Sequence, residues 1–296
     1  MDFLENIKHT FKQGSSVIKL IYINVAVFIL IKLVLISFQL FSVSALYISP
    51  YLAIPADLTQ LLHRAWTPIT YMFLHEEFLH ILFNMFALYW FGKIFLMFFS
   101  EKQLVGLYLF GGLFAAAIYV ITFNLFPFYS PILHQSILLG ASGSIMAIIV
   151  AAAIQSPNME LQLVFLGKIK FKYIAVFYIL TSFFGLTSSN GGGQLAHLGG
   201  ALAGYLFVVS LRKGIDLTSL FNRVLDVFAN IFGPRKLRVK HSKTRSTRPM
   251  SDAEFNMNKA KKIAEIDKIL DKIKTSGYES LSADEKKRLF DQGNKN

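Results

Sequence analysis

Three short stretches of this sequence carry side chains with the chemistry of acyl transfer. The first is Leu138-Leu139-Gly140-Ala141-Ser142-Gly143-Ser144-Ile145-Met146, where a Gly-x-Ser-Gly string opens an apolar run that continues to Ile154. A hydroxyl flanked by glycines at a helix N-terminus is either helix-packing filler or a nucleophile, and a nucleophilic serine needs a base. The second stretch holds the candidate base, His197, with Gly199, Gly200 and Gly204 after it. His197, Gly200 and Gly204 stand at i, i+3 and i+7 and share one helix face. Gly200 and Gly204, at GxxxG spacing, form a surface for close helix approach, and Gly140 and Gly143 likewise clear space around Ser142. The third stretch places His80 and Asn84 at i, i+4, so that an imidazole and an amide aim at one place. Free backbone N–H groups and the positive dipole end at Ser142 suit an oxyanion, and His80 and Asn84 add side-chain donors.

Most of the chain has the composition of membrane spans. Of its 296 residues 54% are hydrophobic and 15% aromatic, with a mean hydropathy of +0.48. Repeated apolar runs of spanning length predict an all-α polytopic membrane protein. The absence of cysteine excludes disulfides, thiolate metal sites and cysteine nucleophiles. Residues 1–17 read as an interfacial segment, with Phe3, Leu4, Ile7 and Phe11 at helical spacing. No cleavage site follows the first apolar run, so it reads as a retained span rather than a signal peptide. Six spans are expected in residues 18–211, at about Ile18–Phe41, Phe78–Phe98, Leu104–Leu125, the Gly-x-Ser-Gly string to Gln155, Phe171–Leu186 and Gln194–Leu211. Lys32 lies inside the first and is read as snorkelling or facing a polar cavity. Ser42–Glu77 is a broken, aromatic-rich loop that half-enters the membrane or lies along it, and Ser188–Gly193 is a flexible loop.

Lys and Arg fall before span one, after span two, between spans four and five, and in the tail, whereas the opposite loops hold only Arg64. Both termini are therefore expected in the cytoplasm. Spans two, four and six then run from outside to inside and deliver Ser142, His197, His80 and Asn84 to one depth near the outer face. No Asp or Glu lies inside those three spans, so a Ser–His dyad is expected rather than a triad. The string His75-Glu76-Glu77-Phe78-Leu79-His80 imitates a zinc-protease motif, but its histidines are i, i+5. On a helix they would diverge by about 140°, so no metal site is expected there. His63 and His134 read as surface residues.

From Arg212 onward there are 20 Lys/Arg against 11 Asp/Glu, which places +9 of the net +12 in the tail. Directly after a span, such a tail reads as a cytoplasmic, lipid-facing segment rather than a nucleic-acid binder. Residues 212–251 read as a basic linker and 252–296 as a helical tail. Ile263, Ile266, Ile269, Leu270 and Ile273 recur at helical spacing, and Ser282 with Glu285 forms a capping box.

Gly140-Ala141-Ser142-Gly143, Ala196-His197-Leu198-Gly199-Gly200-Ala201 and His80-Ile81-Leu82-Phe83-Asn84, with the loop Trp66 to His75, resemble the rhomboid intramembrane serine proteases. The resemblance covers roughly residues 18–211 and implies a six-helix rhomboid-like bundle. It implies Ser142 as nucleophile, His197 as general base, and an oxyanion site from the Ser142 N–H, His80 and Asn84. It also implies transmembrane protein substrates cut within or beside a helix, small residues near the cut, and no metal or nucleotide cofactor. Three departures from the pattern stand out: Met146 where some members have an aromatic residue, Thr67 where an arginine is often found, and Lys93 to Leu96 where a glutamate is common. The rivals are a non-catalytic rhomboid-like protein that binds client transmembrane helices, an intramembrane zinc protease and a transporter. Richness in Lys, Ile and Phe points to an AT-rich bacterial genome, and the expected location is the bacterial inner membrane, with the active site toward its outer face.

Overall fold

A computed structural model describes residues 5, 9–11, 13–41, 48–163, 167–232 and 252–293. The chain divides into two compact units, Met1–Pro234 and Arg235–Asn296.

The first unit is built on six apolar helices: α1 (Ser16–Leu40), α2 (Phe78–Phe95), α3 (Glu101–Leu125), α4 (Ser142–Gln155), α5 (Phe171–Phe184) and α6 (Gly191–Arg212). Four of these, α1, α2, α3 and α6, are long and apolar enough to cross a membrane. The other two have 14 residues each, about 21 Å at 1.5 Å per residue, against a hydrocarbon core of roughly 30 Å. The six-span expectation thus meets four full-length helices and two short ones.

The reason α4 is short lies in where it starts. A Cβ on Gly143 would stand 2.7 Å from the Cβ of Ala115, and one on Gly111 would stand 2.5 Å from that of Ala147. So α4 runs antiparallel to α3, with Ser142 level with Ala115 and Ala116. From Ala116, α3 continues to Leu125, about 14 Å beyond the start of α4. Next to it, α6 runs parallel to α4: a Cβ on Gly200 would fall 2.0 Å from the Gly143 carbonyl oxygen, and one on Gly204 2.3 Å from that of Ala147. In lipid, where apolar side chains gain little by leaving one apolar medium for another, helices associate through such backbone-to-backbone contacts between small residues. Every residue of α4 from Gly143 to Ala153 is buried. The direction of α2 matches that of α4 and α6, since His80 lies beside Gly140 and the Phe95 ring is 6.2 Å from that of Phe207.

Two small antiparallel ladders interrupt the all-helical expectation. Strands β1 (Ile54–Pro55) and β2 (Ile137–Leu138) pair Ile54 with Leu138 and Pro55 with Ile137. Between α4 and α5, β3 (Glu160–Leu163) pairs with β4 (Gly167–Lys170). The β1–β2 ladder matters for the site, because it ties the loop before α2 to the segment just before Ser142. That loop satisfies its own backbone by side-chain bonds: Arg64 donates to the Pro50 carbonyl at 2.7 Å, Trp66 to Tyr51 at 2.7 Å and Thr70 to Leu52 at 2.6 Å. Thr67 is fully buried and donates to the Arg64 carbonyl at 2.7 Å. Arg64, three positions before Thr67, therefore supplies a guanidinium anchor within this loop.

Asp57, almost fully buried, caps the one-turn helix Leu58–His63 by accepting from the Thr59 N–H at 2.7 Å. The Thr59 hydroxyl and then the His134 imidazole hold its carboxyl well below the usual carboxylate range. His134 itself is exposed. A carboxyl whose folded pKa is depressed contributes stability above its unfolded value, near 4, and loses it as pH falls toward the folded value. We expect Asp57→Ala to cost about 1–2 kcal/mol at neutral pH, with the difference from wild type shrinking below about pH 4, read by thermal unfolding in detergent.

Several boundaries differ from expectation. Leu96–Phe98 leave the helix, so α2 ends at Phe95. At its start α3 reaches back to Glu101, because Ser100 and Gln103 form a reciprocal capping box. Gly191–Gly193, read as loop, form the first turn of α6, where Gly192 has room for no side chain beside the Tyr119 ring. Residues 219–232, read as part of a basic linker, form α7 (Ser219–Phe232), whose Phe221 meets Phe110 of α3. Lys32 sits over the Phe28 ring at 5.7 Å, and Lys93 over Tyr89 at 4.1 Å. Of the N-terminal segment, Phe3, Leu4 and Ile7 lie outside the described residues, and Phe11 is exposed.

The second unit is a helical hairpin, α8 (Asp252–Ser276) and α9 (Ala283–Gly293). Glu285 accepts from the Ser282 N–H at 2.7 Å and Ser282 accepts from the Glu285 N–H at 3.3 Å, the capping box read from the sequence. Ile269 and Leu281 are buried in it, while Leu270 is exposed. Residues 233–251, the rest of the expected linker, lie outside the described residues.

Candidate active site

Ser142, His197, His80 and Asn84 all line one cavity of about 710 Å³. Met146 lines it too, together with the exposed Glu76 and Glu77 and with Tyr178 from α5. The four chemically capable residues come from α2, α4 and α6, the three helices that run in the same direction.

Ser142 is the first residue of α4, so its N–H and those of Gly143 and Ser144 have no partner inside the helix. The residue before it, Ala141, donates its N–H to His75 Nε2 at 3.4 Å. Gly140 takes φ = 111°, a left-handed conformation that favours glycine. A Cβ there would also stand 2.9 Å from His80 Cε1, so this glycine both turns the chain and admits the imidazole. Upstream, the Gly140 N–H donates to the Tyr71 carbonyl at 2.9 Å. Strand β2 and these two bonds set the approach of the chain to Ser142. Ser144 is not a second candidate nucleophile: its hydroxyl is buried and faces Gly112 of α3.

His197 receives a contact the sequence did not disclose. Ser182 of α5, itself buried, lies with its hydroxyl 3.2 Å from His197 Nδ1. A hydroxyl accepting from Nδ1–H fixes the tautomer in which Nε2 is the acceptor, the role an aspartate plays in a triad. Asn84 is pinned by donating one amide hydrogen to the His80 carbonyl at 3.0 Å, which leaves its second hydrogen for another acceptor. The small-residue surface of α6 splits in two: Gly200 and Gly204 meet α4, whereas Gly199 meets Ala115 and Ile118 of α3.

The sequence places His75 both in the false zinc motif and at the end of the loop Trp66 to His75. It sits before α2, which begins at Phe78, so His75 and His80 do not share one helix. It is fully buried, with its ring 5.0 Å from that of His80 and edge-on to it. Among the described residues no group of three or more His, Cys, Asp or Glu side chains is placed to hold a metal ion. Signals for His75 and Ser182 were absent from spacing, because each meets its partner across the fold rather than along one helix.

The family model of the Rhomboid domain matches residues 62–214, slightly more than half of the chain. The chain belongs to the rhomboid family. The matched segment includes all four site residues and stops before α7. A second match, to a family of unknown function (DUF6576), covers residues 251–292, the helical hairpin of this rhomboid protein. The chain is also 31% identical over 160 residues to "RHOMBOID-like protein 12, mitochondrial" of Arabidopsis thaliana, an alignment covering 51% of this chain and 48% of that relative. The chain thus spans about half the length of that relative. With its full-length apolar helices, this rhomboid is an integral membrane protein.

The Ser182 contact carries a prediction of its own. A neutral hydrogen bond of this kind is worth about 1 kcal/mol, so where His197 serves as a catalytic base, Ser182→Ala should lower kcat roughly three- to tenfold without changing KM. An unchanged kcat would show that Ser182 does not orient the imidazole.

Proposed function

We propose that this rhomboid is an intramembrane serine endopeptidase with a Ser142/His197 dyad. The observation that carries the proposal is that Ser142, at the start of a helix sunk about 14 Å below the end of its neighbour, shares one cavity with His197, His80 and Asn84. Ser142 Oγ attacks the scissile carbonyl carbon as its proton passes to His197 Nε2. The negative charge that develops on the carbonyl oxygen meets the Ser142 N–H, the helix dipole, and the His80 and Asn84 donors. On collapse the imidazolium returns the proton to the leaving amine. Water then hydrolyses the acyl ester with His197 again as base.

The six helices are read as six spans with both termini in the cytoplasm and the cavity toward the outer face. The shared direction of α2, α4 and α6 supports this, together with the Lys/Arg bias. Substrates are membrane-anchored proteins cut within or beside a transmembrane helix, and the membrane is read as a bacterial cell membrane from the Lys-, Ile- and Phe-rich composition that an AT-rich bacterial genome encodes. Cleavage of a transmembrane substrate by purified wild type and Ser142→Ala in proteoliposomes tests the proposal. The alternative is a non-catalytic rhomboid-like protein that binds client helices. A serine-reactive probe that labels wild type but not Ser142→Ala supports the protease, and failure to label Ser142 supports the alternative.

A further inference from the structure

The helix α7 leaves an apolar stripe exposed among the described residues. Its Phe221 meets Phe110 of α3, Thr218 and Asn222 lie against Gly106, and Asp226 pairs with Lys102 at 2.7 Å. At about 100° per residue, Leu220, Val224 and Val227 fall on one arc on the side of α7 turned away from those contacts. They are 64%, 48% and 56% exposed. Arg223 stands at the edge of the stripe, between Val227 and Asp226.

Depth decides what covers the stripe. Gly106 and Phe110 lie about 8 and 14 Å along α3 from its start at Glu101, at the end of the bundle away from Ser142. The first turn of α7 therefore packs on α3 at a level already within the apolar part of that span. Further along α7, the Lys102–Asp226 pair marks the return to the polar boundary. The chain reaches α7 from α6, another span, which ends at Arg212. Beyond α7, the sequence from Arg235 to Arg248 holds seven Lys/Arg and no Asp/Glu, a charge suited to an anionic leaflet surface.

We propose that α7 is a membrane-embedded interfacial helix, with Leu220, Val224 and Val227 in contact with lipid acyl chains in the leaflet opposite the active-site end and Arg223 in the polar layer. This rests on the reading of α3 and α6 as membrane spans and is independent of catalysis. The chain has no cysteine, so single substitutions report cleanly. The test uses nitroxide labels on Leu220→Cys, Val224→Cys and Arg223→Cys in the full-length protein, reconstituted in phosphatidylcholine–phosphatidylglycerol vesicles. We expect labels at 220 and 224 to collide several-fold more with oxygen than with a water-soluble nickel chelate, and the label at 223 to show the reverse. Equal access of the chelate to 220, 224 and 223 would overturn the proposal in favour of a water-exposed helix. Shielding of 220 and 224 from both reagents would overturn it in favour of a protein partner or a second copy. No catalytic step enters the readout, so its failure leaves the protease reading in place.

Discussion

Replacing Ser142 with alanine is expected to abolish cleavage of a transmembrane substrate while leaving the protein folded. His197→Ala should do the same. In serine hydrolases, loss of the nucleophile or the base costs on the order of 10⁴- to 10⁶-fold in kcat, and the double variant is little worse than either single one because the two act as a unit. The same non-additivity is expected here. Stability should hold because Ser142 opens α4 instead of packing its middle, and the buried seam begins at Gly143. A purified Ser142→Ala protein that still cleaves at the wild-type rate would remove the dyad from the mechanism. His80→Ala and Asn84→Ala, which take away oxyanion donors, belong in the same assay. A loss of roughly 10²-fold each is the size seen when one such donor is removed.

The second large effect is expected at Gly200. A methyl group there would fall 2.0 Å from the Gly143 carbonyl oxygen, with the Gly143 Cα 3.2 Å away. Those atoms are backbone, and no side-chain rotation relieves the clash. The α4 and α6 helices must separate, so Gly200→Ala should cost at least about 3 kcal/mol, the upper end for overpacked sites. It should also damage activity, because His197 stands three residues earlier on α6 and Ser142 one residue before Gly143. A misplacement of about 1 Å between reacting groups costs on the order of 10²-fold. Gly204→Ala is the control: its methyl would meet the Ala147 carbonyl at 2.3 Å, on the same seam but farther from Ser142. A comparable drop in unfolding temperature with a smaller loss of kcat would separate packing from catalysis. Wild-type stability of Gly200→Ala would show that the two helices are not in backbone contact.

Much of this site was legible in the residues alone. Glycines at GxxxG spacing read as a close helix contact, and they are one. The i, i+4 relation put His80 and Asn84 on one side of α2, and both line the cavity with Ser142 and His197. Local periodicity is written along the chain, so patterns within one helix survive into the fold. Residues 219–232 read as linker because Lys and Arg dominate 212–251, whereas the apolar spacing of Leu220, Val224 and Val227 is that of the helix α7. Met146 lines the cavity as a residue at i+4 from Ser142 should.

What the sequence by itself determined is the membrane class of this protein, the identity of its nucleophile and base candidates, and the common direction of the helices that carry them. Each depends on composition or on spacing within a single element. Only the tertiary structure decided the depth of Ser142 against α3, the Ser182 hydroxyl at His197, the buried His75 beneath Ala141, and the β1–β2 ladder that holds the segment before the nucleophile. Those four are contacts between elements distant in sequence, and no spacing rule reaches them, because their geometry is set by which small residues let which backbones approach.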